Sequence, residues 1–331
     1  MGFIETTPTT WRESCGAHGR NLPAALPKGP SSLGEPGPLP LAFSAASTWR
    51  TGIHQRIESA TSSRADGNGL QKDHVSDDFV ALTEISGDEV TTEQVGRLAR
   101  RYYWAGDFCV GKDVLEAACG AGQGAGYLAS RAQSLTAGDY SNSLLEIARA
   151  HYGPRLQFRQ FDAQEIPFLD QSFDVVILFE ALYYLPNAEL FFMECRRVLR
   201  PGGMLLIATA NKDLFDFNPS PRSYRYLGVA ELHRELAATG FDVKCFGDTP
   251  LSSVSVRQRL LRPIKAVAAR CGLIPESMAA KKLLKRFVFG GLVAMPAEIT
   301  EGTAPKRAPK ALEAGIPDRA HKVIFCAATL P

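Results

Sequence analysis

The chain has 331 residues, 45% of them hydrophobic, enough for a sizeable core in one large α/β domain or two small ones. A formal net charge of +2 gives no global attraction to nucleic acid, and no run approaches the roughly 18–20 apolar residues that a membrane span requires. Seven cysteines, at positions 15, 109, 119, 195, 245, 271 and 326, are scattered, odd in number and without CxxC spacing. This argues against a disulfide framework or a metal site and for reduced thiols in a cytoplasmic protein. The opening residues lack a basic start followed by an apolar stretch, so no secretory signal is expected.

Residues 1–70 set Pro23, Pro27, Pro30, Pro36, Pro38 and Pro40 among Gly, Ser and Ala, with no apolar periodicity. Ordering such a segment costs more than its burial returns, and a disordered tail is expected. Residues 71–110 read as a helical preface: Thr91 or Thr92 caps a helix whose Val95, Leu98, Ala99 and Tyr102 share one face.

The stretch from Val114 to Ala129 carries the strongest signal. A buried strand, Val114 to Ala118, runs directly into glycines at 120, 122, 124 and 126, and helical spacing resumes at Tyr127, Leu128 and Arg131. Glycine permits positive φ and lets a ligand lie on bare backbone, so the turn reads as a cradle for a nucleoside cofactor at the carboxyl edge of a parallel sheet. Glu116, four residues before the first glycine, places a carboxylate where a dinucleotide would put pyrophosphate, and this favours a cationic ligand. A second strand ends at Asp139, 23 positions after Glu116, close to the roughly 20-residue separation at which an acid accepts ribose hydroxyls. Ser141 caps the helix that follows.

The strand and turn resemble the first motif of class I S-adenosylmethionine-dependent methyltransferases, (D/E)xGxGxG, here Glu116, Ala118, Gly120 and Gly122, with Ala118 replacing the first glycine. Further along, a helix from Asn187 to Arg200 leads through LRPGG into a fifth strand, an order that also resembles small-molecule members of the class, of the methyltransferase type 11-like group. The resemblance covers roughly residues 110–210. It implies an α/β, Rossmann-like fold: a seven-stranded, mostly parallel sheet with an antiparallel last strand and helices on both faces. It also implies S-adenosylmethionine as cofactor, contacted by Glu116, Ala118, Gly120, Gly122, Asp139, Tyr140, Asp162, Ala163 and Phe179, with Asp162 on the adenine amino group.

Two more strands, Leu156 to Phe161 and Phe173 to Phe179, follow, the second an unbroken apolar run of the kind covered on both faces of a parallel sheet. The chain leaves it at Glu180, Ala181, Leu182, Tyr183 and Tyr184, at the topological switch point where the reacting methyl is expected. For the proton of a hydroxyl acceptor the candidates are Tyr183, Tyr184, His74 and Tyr103, with Tyr102, Glu180 and His233 behind them, and no base is singled out. Residues 111–247 form the expected core, 248–320 an insertion or lid, and 321–331 the final strand. Within the insertion, residues 257–286 hold nine basic side chains against one acid and suggest amphipathic helices suited to peripheral contact with an anionic membrane.

The function expected is methyl transfer, most simply to an oxygen, on a small molecule such as a sugar or lipid-linked saccharide. A nicotinamide-dependent oxidoreductase, using Gly120, Gly122 and Ala125, and a degenerate domain docking to a membrane or partner are the alternatives. Nothing in the sequence speaks to oligomeric state.

Overall fold

A computed structural model describes residues 79–253 and 291–331. The proline-rich segment 1–70, His74 and the basic stretch 257–286 lie outside the described residues. The chain divides into residues 1–71 and 72–331, and the second unit is the one described.

The described chain opens with a 3-10 turn, Phe79–Ala81, a short strand β1 (Glu89–Val90) and helix α1 (Thr92–Cys109). Thr91 caps α1 reciprocally: its hydroxyl accepts from the Gln94 amide at 3.2 Å, and the Gln94 side chain accepts from the Thr91 amide at 3.0 Å. Strand β2 (Asp113–Glu116) runs into the glycine turn and the brief helix α2 (Ala125–Ala129). β3 (Ser134–Asp139), α3 (Asn142–Tyr152) and β4 (Phe158–Gln160) follow, then β5 (Phe173–Phe179) and α4 (Ala188–Val198). β6 (Leu199–Ala210), α5 (Val229–Ala238), β7 (Asp242–Pro250), β8 (Val293–Ala294), β9 (Lys310–Leu312) and β10 (His321–Thr329) complete the order.

The main sheet has eight strands in the order β4-β3-β2-β5-β6-β10-β7-β9. β2 pairs in parallel with β3 and β5, and β10 is antiparallel to both β6 and β7. The expected seven strands with an antiparallel last one are therefore present, and β9, antiparallel to β7, adds an eighth at the edge. β1 and β8 form a separate antiparallel ribbon. The described parts of the 248–320 segment are irregular chain with the end of β7, a single 3-10 turn (Leu251–Ser253) and the short strands β8 and β9; the amphipathic helices expected there fall outside the described residues.

Alternation along the strands divides the core. Leu115, Val176, Leu178, Leu205 and Ile207 pack with Phe191, Phe192 and Cys195 of α4 and Leu232 and Leu236 of α5. Their neighbours Val114, Val175, Ile177, Leu206 and Ala208 pack with Leu98, Ala99 and Tyr102 of α1 and with Leu128 of α2. Both faces of β5 are thus covered, which is why its sequence shows no polar alternation. Asp174, at its start, accepts from the Asp113 amide at 2.9 Å and pairs with Arg200 at 3.0 Å, fixing the lower edge of the sheet.

The chain fills the sheet outward from β2 to β4 and then restarts at β5 on the other side of β2. That reversal opens a crevice beyond the carboxyl ends of β2 and β5.

Candidate functional site

A cavity of about 500 Å³ occupies that crevice. Its wall contains Ala118, Gly120, Asp139, Tyr140, Asp162, Ala163, Phe179, Glu180, Tyr183 and Tyr184, drawn from the ends of four strands, and is completed by Phe79, Leu82, Arg97, Arg101 and Tyr102.

The four glycines of the turn do different jobs. Gly120 has φ of 57°, and a Cβ there would meet nothing closer than the Thr83 methyl at 3.7 Å, so its bare backbone faces open space. Gly122, at φ 79°, is a packing position: a Cβ would fall 3.1–3.3 Å from Ala148, Tyr152 and Phe158. It does not line the cavity, unlike Gly120. A Cβ on Gly124 would lie 2.0 Å from the Tyr102 ring, and the Gly126 position is closed by Glu298. The turn is held from below by Tyr152, whose hydroxyl donates to the Gly122 carbonyl at 2.8 Å and accepts from the Gly126 amide at 3.0 Å.

Asp139, 8% exposed, ties β3 to the turn. One carboxylate oxygen accepts from the Gly120 amide at 2.8 Å, the other from the Ser141 amide at 2.9 Å. Burial pushes its pKa up, and these backbone donors counter the rise. Asp139 also lines the cavity. Asp162 caps its own turn, accepting from the Gln164 amide at 2.8 Å, beside Ala163.

Glu116 departs from the expectation that its carboxylate points into the cradle. It is 1% exposed and is not part of the cavity wall; Tyr102 is, and its hydroxyl donates to Glu116 Oε1 at 2.7 Å. The other oxygen, Oε2, is buried without a hydrogen-bond partner among the described residues. Burial lifts the Glu116 carboxyl to about 7, opposed by the Tyr102 hydrogen bond and by Arg101, and Asp139 adds to the rise. A buried acceptor left without a donor, next to a glycine turn open at Gly120, suits a ligand that brings both a nucleoside edge and positive charge. The residues present therefore fit S-adenosylmethionine.

The candidate bases separate in space. Tyr103 turns away from the cavity: its hydroxyl donates to the Thr300 carbonyl at 2.5 Å and accepts from the Ala304 amide at 3.2 Å, and its ring packs on Tyr127. His233 lines a different, smaller cavity with Val243, Lys244 and Ala311. Tyr183 and Tyr184 line the main cavity. The Tyr183 hydroxyl donates to Glu180 Oε2 at 3.1 Å, and the Tyr184 hydroxyl pairs with Ser220 Oγ at 2.5 Å. Burial raises the pKa of both, well above the ordinary tyrosine value for Tyr183, where Glu180 adds to the effect. Neither ionises readily at neutral pH. Glu180 itself has φ of 52°, strained for a residue with a Cβ, and sits at the carboxyl end of β5 on the cavity wall.

Residues that sequence reasoning missed are Tyr152, Gln123, Arg97 and Arg101. Gln123 spans from the glycine turn to both neighbouring segments: its side-chain amide donates to the Glu84 carbonyl at 2.6 Å and its backbone carbonyl accepts from the Ile299 amide at 2.7 Å. Their positions depend on contacts across the chain, and the arginines' i,i+4 spacing on the α1 face was the one local sign available.

Residues 115–207 match the family model for a methyltransferase domain. The chain is 40% identical over 140 residues, 41% of its length and 54% of the relative's, to a probable S-adenosylmethionine-dependent methyltransferase of Mycolicibacterium smegmatis. It is 43% identical over 151 residues, 45% of its length and 47% of the relative's, to a phthiotriol/phenolphthiotriol dimycocerosates methyltransferase of Mycobacterium tuberculosis. The chain spans about half the length of these curated relatives. A solved structure from Thermotoga maritima, described as an S-adenosylmethionine-dependent methyltransferase and possible histamine N-methyltransferase, aligns over 72% of this chain and 92% of its own with 16% identity and a TM-score of 0.45.

Proposed function

We propose that this chain, whose core is a methyltransferase domain of the class I S-adenosylmethionine-dependent type, methylates an oxygen of a small, partly apolar molecule such as a lipid or lipid-linked saccharide. The observation that carries the reading is the convergence of Gly120, Asp139 and Asp162 on one cavity at the carboxyl ends of parallel strands, next to the buried Glu116. The name of the mycobacterial relative supports a lipid acceptor, and Phe79, Leu82, Leu98 and Met295 give the cavity apolar wall to match.

When bound, S-adenosylmethionine supplies a methyl group already activated on a sulfonium. The chain's own task is then mostly geometric: to hold two reactants in line and exclude water. Asp139 would take the ribose hydroxyls and Asp162 the adenine amino group, while Gly120 leaves room for the nucleoside. Burial raises the Glu116 carboxyl to about 7, and a cationic ligand in the cavity would favour its ionised form and gain negative potential from it. On the other side, Glu180 is the carboxylate positioned to receive a hydroxyl proton, with Tyr183 hydrogen-bonded to it as relay or orienting group.

Calorimetric titration with S-adenosylhomocysteine, alongside NADH, tests the reading. Binding of the first at micromolar concentration without the second supports it; binding of NADH alone would overturn it.

A further inference from the structure

The cysteines among the described residues differ in their surroundings. Burial pushes the thiols of Cys119 and Cys195 up, and that of Cys109 up to about 12, as expected of unreactive packing groups. Cys245 of β7 and Cys326 of β10 are placed differently: they stand directly opposite each other in the antiparallel register. Directly opposed residues share a face of the sheet, and their Cα atoms lie about 4.5–5.5 Å apart, inside the roughly 4.4–6.8 Å that a disulfide spans. Both side chains belong to the core under Leu232 and Leu236 of α5. The facing Cys326 thiol holds the Cys245 pKa below the ordinary thiol value, and the same contact, with burial, pushes Cys326 up. Within the pair, Cys245 is the readier thiolate.

Access is equally one-sided. Cys326 is fully buried, whereas Cys245 lines the smaller cavity, about 160 Å³, that His233 of α5 shares with β7 and β9. Lys244, Ala311 and Ala314 of its wall are exposed, so a small solute can enter from solvent. We infer that Cys245 and Cys326 form a redox site, at which a hydroperoxide oxidises Cys245 and Cys326 resolves it to a cross-strand disulfide. The Cys245 thiolate attacks one peroxide oxygen, the O–O bond breaks, water or an alcohol leaves, and a sulfenic acid forms. The Cys326 sulfur then attacks the Cys245 sulfur; the S–S bond forms, the S–O bond breaks, and hydroxide leaves with the Cys326 proton as water. The two thiols lose two electrons and the peroxide gains them. The bond joins positions 81 residues apart and closes the chain at the base of segment 248–320, which leaves the sheet through β7 and returns through β10. A cross-link of that span restricts the unfolded chain and favours the folded one. The cavity at Cys245 shares no lining residue with the main one, and the inference is independent of the methyl-transfer reading.

Peptide mapping tests it. Full-length protein is exposed to hydrogen peroxide, quenched with catalase, unfolded in urea with iodoacetamide, digested and analysed by mass spectrometry. A cross-linked peptide pair containing Cys245 and Cys326 is expected, together with a urea midpoint raised by about 1 M and restored by dithiothreitol. Cys245→Ala should remove both the cross-link and the shift. Cys326→Ala should remove the cross-link while leaving a sulfenic acid at Cys245 that dimedone traps. Recovery of both cysteines of the wild-type protein as alkylated thiols, at a peroxide dose that converts free glutathione to its disulfide, overturns the inference. So does linkage of either one to a third cysteine, or sulfinic acid at Cys245 with Cys326 still free. The wild-type map decides without either variant, so a variant that fails to fold leaves the test intact.

Discussion

The two halves of the cavity are built on opposite plans. The half formed by β2, β3 and the glycine turn is tied down before any ligand arrives: Asp139 grips the Gly120 amide, Tyr152 grips two backbone groups of the turn, and Tyr102 sits over Gly124. The half formed by the end of β5 and the loop after β6 is joined side chain to side chain: Tyr183 bonds Glu180, and Tyr184 bonds Ser220. Bonding of the first kind holds one fixed shape, as a common cofactor requires. Side-chain contacts of the second kind are suited to an acceptor that differs from one enzyme to another.

The sharpest way to break the first half is Gly124→Val. Its Cβ would fall 2.0 Å from a ring that cannot swing aside, because Tyr102 is buried and hydrogen-bonded to Glu116. Overpacking of this kind costs about 3 kcal/mol or more, read as a lowered urea midpoint.

Next in size is the pH dependence of Glu116. Its folded pKa of about 7 lies above the ordinary glutamate value of 4.5, so its contribution to stability is full below 4.5 and is lost as pH rises through 7. Glu116→Gln should flatten that decline, by up to about 3 kcal/mol between pH 5 and 8 in urea unfolding of the ligand-free protein. A wild-type and variant profile that run in parallel would show that the carboxyl is not burdened by its burial.

Asp139→Ala should weaken S-adenosylhomocysteine binding by about 1–3 kcal/mol, since it removes the acceptor proposed for the ligand's hydroxyls together with the tie to Gly120. Calorimetry measures the loss. The smallest effect belongs to the acceptor half. Tyr183→Phe deletes one hydrogen bond to Glu180 and should change acceptor KM or kcat by about 0.5–1.5 kcal/mol while leaving cofactor affinity alone, measured by initial rates once an acceptor is identified. A cofactor defect in that variant would dissolve the contrast between the halves.

Much of the first half was legible in the residues. The glycine turn, the strand ending at Asp139 and the unbroken run Phe173 to Phe179 are local patterns, set by φ freedom and by burial on both faces, and β5 spans the range expected for it. The second half was not. Nothing near Tyr103 distinguishes it from Tyr102, yet one faces the backbone of residues 300–304 and the other the cavity, because successive residues on a helix point about 100° apart and only the docking of α1 decides which side meets the sheet.

What the amino-acid sequence alone determined is the order of strands and helices and the chemistry of the turn between β2 and α2, since both follow from neighbours a few positions apart. Tertiary structure decided that Glu116 lies beneath Tyr102 rather than in the cavity, that Tyr152 hooks the turn from 26 residues downstream of Gly126, and that β9 adds an edge strand beside β7. It also decided that Arg97 and Arg101 reach the cavity while Arg100 is consumed by Asp248. The partners concerned are brought together by packing across tens to more than a hundred residues, and hydrogen-bond satisfaction at that range leaves no periodic trace in the chain.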